Sequence, residues 1–270
     1  MKILMIIGNE PNQRALANKI HAEFPLSAII TESRKSKRKI TLRKVFEKII
    51  ERLFLSSIDK AWFGLHTYYK SKYPDFPDVP NIDVENINKD PAYQFAKKIH
   101  PDLIIVSGTR LVKNPMLQLP AGNGIMNIHT GLSPYIKGGP NCTNWCLATN
   151  QPEYIGNTIM WIDQGIDSGK IIASDTVDIS GAEDLMDIHI RVMDHAHALC
   201  INAIKAINAR QNKEGVDQNS IAKGKTYYTK EWGLRQKISL VKNTKRILEK
   251  NNPNNFTNSG LEIVTINPNK

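Results

Sequence analysis

Gly124-Ile125-Met126-Asn127-Ile128-His129 is the stretch that decides the fold: a short apolar run that closes on polar side chains. A run of about six residues is too short for a helix and reads as a strand buried in a parallel sheet. Leu103-Ile104-Ile105-Val106-Ser107-Gly108 repeats the pattern upstream, and residues 91–99 predict a short helix opened by Asp90-Pro91. Farther back, residues 2–7 read as a first buried strand ending in Gly8-Asn9. A helical spacing follows through Ala15, Leu16, Ile20 and Phe24, with Asn12 as its expected cap, and Leu26–Ile30 reads as a second strand. A strand–helix–strand unit crosses over right-handed and makes its two strands parallel. Downstream, Asn141–Asn150 predicts a helix, Thr158–Ile162 and Ile171–Ser174 two strands, and residues 182–209 a long helix.

This alternation predicts an α/β protein with an open, mostly parallel, Rossmann-like sheet. Residues 1–210 are expected to form one catalytic domain, interrupted at about 34–72 by a basic amphipathic insertion. Pro74, Pro77 and Pro80 mark the loop that closes the insertion. Residues 211–270 are rich in Asn and Lys. They read as a small C-terminal extension whose end, around Asn251-Asn252-Pro253-Asn254-Asn255, is loosely ordered.

Composition narrows the class. With 41% hydrophobic and 23% charged residues the chain has the make-up of a folded protein rather than a disordered one. It has no apolar run of about 18 residues, so no transmembrane helix is expected. Its first residues lack the length and cleavage site of a signal peptide, so the expected location is the cytoplasm. Cys142, Cys146 and Cys200 are then expected as reduced thiols. No metal is expected: His195 and His197 would point about 200° apart on a helix and could not share an ion. Asn255-Phe256-Thr257 is read as a chance glycosylation sequon.

The net charge is +10, much of it from Arg34, Lys35, Lys37, Arg38, Lys39, Arg43, Lys44, Lys48 and Arg52. Such a field attracts phosphates on nucleotides, nucleic acid or anionic lipid, or is simply a solvated helix face. Ile40, Leu42, Val45, Phe46, Ile49, Ile50, Leu53 and Phe54 interleave at helical spacing, which predicts an amphipathic helix. Contact of residues 34–54 with a membrane surface is one reading of it.

In open α/β sheets ligands gather outside the carboxyl ends of the strands, where the strand order reverses. Three such ends are polar here: Gly8-Asn9, Ser107-Gly108-Thr109-Arg110 and Asn127-Ile128-His129. The first lacks the glycines of a dinucleotide-binding turn. In the third, Asn127 and His129 lie two apart on a strand and share one face. An amide donor beside an imidazole suits oxyanion stabilisation with proton transfer. The turn-rich Gly131-Leu132-Ser133-Pro134 and Lys137-Gly138-Gly139-Pro140 follow. Then Ile159–Ile162 and Ile171-Ile172 flank a tight loop with two acids, Asp163 and Asp167.

The order Asn-x-His-x-x-x-Ser-Pro-x-x-x-Gly, followed some forty residues later by Asp-x-Gly-x-Asp-x-Gly-x-Ile-Ile, resembles the folate-dependent formyltransferases. That family includes glycinamide ribonucleotide, methionyl-tRNA and sugar N-formyltransferases. The resemblance is strong over residues 100–175 and extends in layout over 1–210. It implies a catalytic trio of Asn127, His129 and Asp167, with Asp163 left to stabilise its turn. It also implies a 10-formyltetrahydrofolate co-substrate held by Gly108, Thr109, Arg110, Leu111, Val112, Gln164, Gly165 and Ile166. The acceptor is expected against Gly8, Asn9, Ser133, Lys137 and Gly138.

Of the acceptors known for the family, the amino group of a nucleotide-linked amino sugar, made for surface polysaccharide, is the one expected here. Tyr227, Tyr228 or Trp232 would stack on its base. Glycinamide ribonucleotide, aminoacyl-tRNA and a non-catalytic basic binding protein stay open as alternatives, as does a homodimer. Nucleic acid is not expected as a partner.

Overall fold

The structure is a computed structural model that describes residues 1–34, 42–209, 214–249 and 260–266, with the backbone alone at 42–44 and 46. Lys35, Lys37, Arg38, Lys39 and Ile40, and the Asn-rich stretch 251–255, lie outside the described residues.

Seven strands form the main sheet: β1 (Ile3–Gly8), β2 (Leu26–Glu32), β3 (Asn81–Val84), β4 (Leu103–Ser107), β5 (Gly124–His129), β7 (Gly156–Trp161) and β8 (Ile171–Thr176). Their order is β3-β2-β1-β4-β5-β7-β8. The first five are parallel, and β7 runs antiparallel between β5 and β8. The order reverses between β1 and β4, and there a Cβ on Gly8 would come within 3.0 Å of the Gly108 carbonyl oxygen.

Alternation along the strands sorts the core. Ile3, Met5, Ile7, Leu103, Ile105, Met126 and Ile128 face one layer, made by α1 (Pro11–Glu23) and α6 (Leu185–Asn208). Leu4, Ile6, Ile104 and Val106 face the other layer, which includes α4 (Asp90–Ile99). Each such side chain taken fully from water contributes about 1.5–3 kcal/mol, which fixes the register of every strand. Asn127 pairs with Val106 across β5 and β4, so Asn127 and His129 lie on the α4 side of the sheet. The Asp184 carboxylate caps α6 by accepting from the Asp187 N–H at 2.8 Å.

Several sequence expectations are corrected. Asn12 is not the cap of α1: Glu10 is, and Asn12 lies buried inside the helix, whose first turn accepts Pro11. The insertion folds as two helices, α2 (Leu42–Phe54) and α3 (Ser56–Lys72), broken at Leu55. β3 went unread because Asn81 and Asp83 interrupt its apolar residues. Two three-residue strands, β6 (Ile136–Gly138) and β9 (Lys225–Tyr227), pair in parallel as a second sheet.

Beyond residue 210 the chain is built into the body. α7 (Gln218–Ile221) leads to β9, and α8 (Leu234–Glu249) packs on α5 (Cys142–Ala148) through Leu240 and Ile247. The Val264 N–H donates to Ser174 Oγ on β8 at 2.9 Å.

Candidate active site

The site grows from the end of β5. Asn127 is half-buried and His129 is 9% exposed. Asp167 reaches them from the loop between β7 and β8. Its Oδ1 accepts from Asn127 Nδ2 at 3.4 Å, and its Oδ2 stands 3.5 Å from His129 Nδ1. The same Oδ2 accepts from the Gly138 N–H at 3.2 Å, so β6 holds the carboxylate from behind. Asp167 adopts φ +49°, a left-handed conformation that costs an ordinary side chain about 1–2 kcal/mol. Gln218 on α7 offsets part of that cost: its Nε2 donates to the carbonyls of Asp167 (2.9 Å) and Gly169 (2.8 Å).

Two glycines are required by contact. A Cβ on Gly131 would sit 2.4 Å from His129 Nε2, and one on Gly138, at φ +92°, would sit 2.0 Å from the Tyr227 carbonyl oxygen. Cys142 Sγ lies 3.5 Å from His129 Nε2 and 3.5 Å from the Gly138 carbonyl. Burial, and then the charge of Asp167, push its thiol well above the usual range. Cys142 thus packs against the imidazole as a buried side chain.

A cleft of about 110 Å³ opens beside Asn127 and Asp167. Val106, Val112, Met160 and Ile162 supply apolar wall, and Gly108–Arg110 and Gly165 complete the lining. Of the residues the resemblance names for the co-substrate, Gly108, Thr109, Arg110, Leu111, Val112 and Gly165 line this cleft; Gln164 and Ile166 are exposed and are not among its lining residues. Arg110 is engaged elsewhere, its guanidinium paired with the buried Glu32 and donating to the Glu85 carbonyl at 2.7 Å. Burial pushes the Glu32 carboxyl up, but hydrogen bonds from the Arg110 N–H, Arg34 and the Ile87 N–H prevail and hold it below the usual carboxylate range. Asp163 does stabilise its turn, accepting from the Gly165 N–H (2.8 Å) and Ser168 Oγ (2.7 Å).

The residues expected around the acceptor divide. Gly138 touches Asp167, and Lys137 precedes it on β6. Ser133 is buried, its N–H donating to Thr158 Oγ1 at 2.9 Å. Gly8 and Asn9 lie at the β1 end and do not line the cleft; Asn9 Nδ2 donates to Ser33 Oγ at 3.2 Å. Tyr227 is buried with its ring stacked on Trp145 at 4.2 Å between centroids; Trp232 is half-buried and edge-on to the same ring at 4.9 Å, and Tyr228 is exposed. Gln218 has no sequence signal, since a lone Gln among Asn and Lys carries no motif; Gly131 and Cys142 are legible only as part of a turn and as a thiol, not as contacts of His129. No group of three or more His, Cys, Asp or Glu side chains could hold a metal among the described residues.

Fold and site together define an open-sheet α/β protein with an amide–imidazole–carboxylate cluster beside a ligand cleft at its strand ends. The chain belongs to the formyl transferase family, whose sequence model matches residues 1–204. It is 29% identical over 160 residues to methionyl-tRNA formyltransferase of Syntrophus aciditrophicus, covering 57% of this chain and 50% of that one. It thus spans about half the length of the curated relatives it matches.

Its fold is also that of the N-formyltransferase from Helicobacter canadensis in complex with folinic acid and dTDP-3-aminofucose. There the TM-score is 0.54 at 16% identity, with 89% of this chain and 81% of that one covered. Phosphoribosylglycinamide formyltransferase from Anaplasma phagocytophilum superposes with a TM-score of 0.54 at 15% identity, covering 85% of this chain and 98% of that one.

Proposed function

We propose that this protein is a folate-dependent N-formyltransferase that carries a formyl group from 10-formyltetrahydrofolate to the amino group of a nucleotide-linked amino sugar. The observation that carries the reading is the clustering of Asn127, His129 and Asp167, two of which line the cleft. Family membership supports the transfer. The apolar wall of Val106, Val112, Met160 and Ile162, with Asn127 and Asp167 at its side, suits a flat heterocycle with a reacting polar edge, as in a folate. The fold shared with a protein solved on folinic acid and dTDP-3-aminofucose supports the sugar nucleotide. Three free cysteines fit a cytoplasmic setting.

In this reading the neutral amine attacks the formyl carbon, forming a C–N bond and an oxyanion. Asn127 Nδ2 donates to that oxygen, and His129 supports the same developing charge. Asp167 orients His129 and passes the amine proton, directly or through water, towards the departing folate nitrogen as its bond to carbon breaks. The nitrogen gains the proton that the amine loses, so no metal or oxidant is required.

The curated matches favour a second acceptor, methionyl-tRNA. Turnover of 10-formyltetrahydrofolate with a panel of nucleotide-linked amino sugars, beside charged initiator tRNA, distinguishes the two. Formylation of a sugar, lost in Asn127→Ala, His129→Ala and Asp167→Ala, establishes the proposal; formylation of the tRNA alone overturns the acceptor, and no folate binding overturns both.

A further inference from the structure

α2 is turned the wrong way for a helix of a globular protein. At about 100° per residue, Val45, Ile49 and Leu53 form one stripe, with Lys48 and Arg52 along its edge. All five are exposed, Val45, Ile49 and Leu53 at 42, 51 and 67%. The opposite arc, Glu47, Ile50 and Glu51, is half-buried, and Glu51 Oε1 accepts from Lys237 Nζ of α8 at 2.6 Å. The helix thus offers acids to the body and its apolar stripe to solvent. Phe54, Trp62 and Phe63 add 74, 44 and 65% exposed rings on the same helical pair. Among the described residues, six of the eleven exposed large hydrophobic side chains fall between residues 45 and 63, so the exposure is concentrated rather than scattered.

The geometry points to α2 as a docking face for an anionic lipid bilayer, with Val45, Ile49 and Leu53 entering the headgroup boundary and Lys48 and Arg52 meeting lipid phosphates. The charge decides among occupants. The exposed arc carries two cations and no acid, on a chain of net charge +10. A second copy docked through a two-fold axis would bring cations towards cations. An anionic bilayer complements both parts of the arc, the apolar stripe and the cations beside it. The proposal is independent of the acceptor.

The test is co-sedimentation of the full chain with vesicles of phosphatidylcholine and phosphatidylglycerol, against phosphatidylcholine alone. The expected result is binding to the anionic vesicles only, weakened by added salt. It should also be weakened about tenfold or more by Lys48→Glu/Arg52→Glu and, separately, by Ile49→Ser/Leu53→Ser. Neither pair touches the cleft, so unchanged formyl transfer shows that the variants are folded. Three outcomes overturn the proposal: no binding to anionic vesicles; binding that both variants retain in full; or lipid-free sedimentation in which Ile49→Ser/Leu53→Ser dissociates a dimer while vesicles are ignored.

Discussion

The Gly138 N–H points at the Asp167 carboxylate from 3.2 Å, joining a strand of the small second sheet to the loop between β7 and β8 of the main one. That carboxylate is also within 3.5 Å of His129 Nδ1. One acid is therefore placed by a backbone group and aimed at an imidazole. Asp167→Asn keeps the size of the side chain but removes the charge facing His129. We expect kcat to fall about 10²–10⁴-fold with little change in the donor KM, measured by steady-state release of tetrahydrofolate. An unchanged kcat would remove Asp167 from the chemistry.

Asn127 has amide hydrogen to spare, since its one contact to Asp167 is 3.4 Å long. Asn127→Ala is expected to cost about 10²–10³ in kcat, the usual loss for one oxyanion donor. Folate affinity, read by fluorescence titration, should change far less.

Gln218 touches no reacting group and only pins the carbonyls of Asp167 and Gly169. Gln218→Leu leaves two acceptors unserved while filling the same space, and the left-handed turn at Asp167 loses its brace. We expect kcat to fall roughly tenfold, with the pH profile unmoved, and the melting temperature to drop by an amount matching about 1–3 kcal/mol. A shifted profile would instead mean that Gln218 acts on the ionisation of the site.

Acid should destabilise the fold before it harms any carboxylate. Burial lowers His189 from 6.5 to about 4 and, helped by Lys19, His197 to about 3. Above pH 6.5 both are neutral folded and unfolded and contribute no slope. As pH falls from 6.5 towards 4 the unfolded chain takes up protons that the folded chain refuses, so stability drops by a few kcal/mol. His189→Gln should flatten part of that fall in chemical denaturation measured across this range.

Gly138→Ala sets a Cβ against the Tyr227 carbonyl at a positive φ. It should cost several kcal/mol, seen as a lowered melting temperature, and activity should fall with it, because the same peptide holds Asp167.

Apart from β3, the parallel half of the sheet is legible because its strands are largely apolar runs bounded by glycine or polar residues. The site was legible because the Asn127–His129 spacing and the loop acids survive as a linear pattern. β6 and β9 are three residues each and carry no periodicity to read. α8 hides behind its composition: its buried positions, Leu240, Thr244 and Ile247, are spaced as a helix needs, but Thr244 and the surrounding Lys and Asn blur the stripe. The contact of α2 with the body through Glu51 and Lys237 spans 186 residues, which no local pattern contains. The burial of Tyr227 is hidden for the same reason, since Trp145, which receives it, lies far away in sequence.

The pairing of β6 with β9 has a consequence for how such proteins diversify. A tail that merely hung from the catalytic unit could be exchanged freely between relatives to change what is recognised. Here the tail supplies Gln218 to the loop that presents Asp167 and the Tyr227 backbone to β6, whose Gly138 holds that acid, so a graft made at residue 210 would import recognition and break the chemistry together. Any exchange that works must carry the residue 216–228 joint across intact, and new specificity is free to enter only after it.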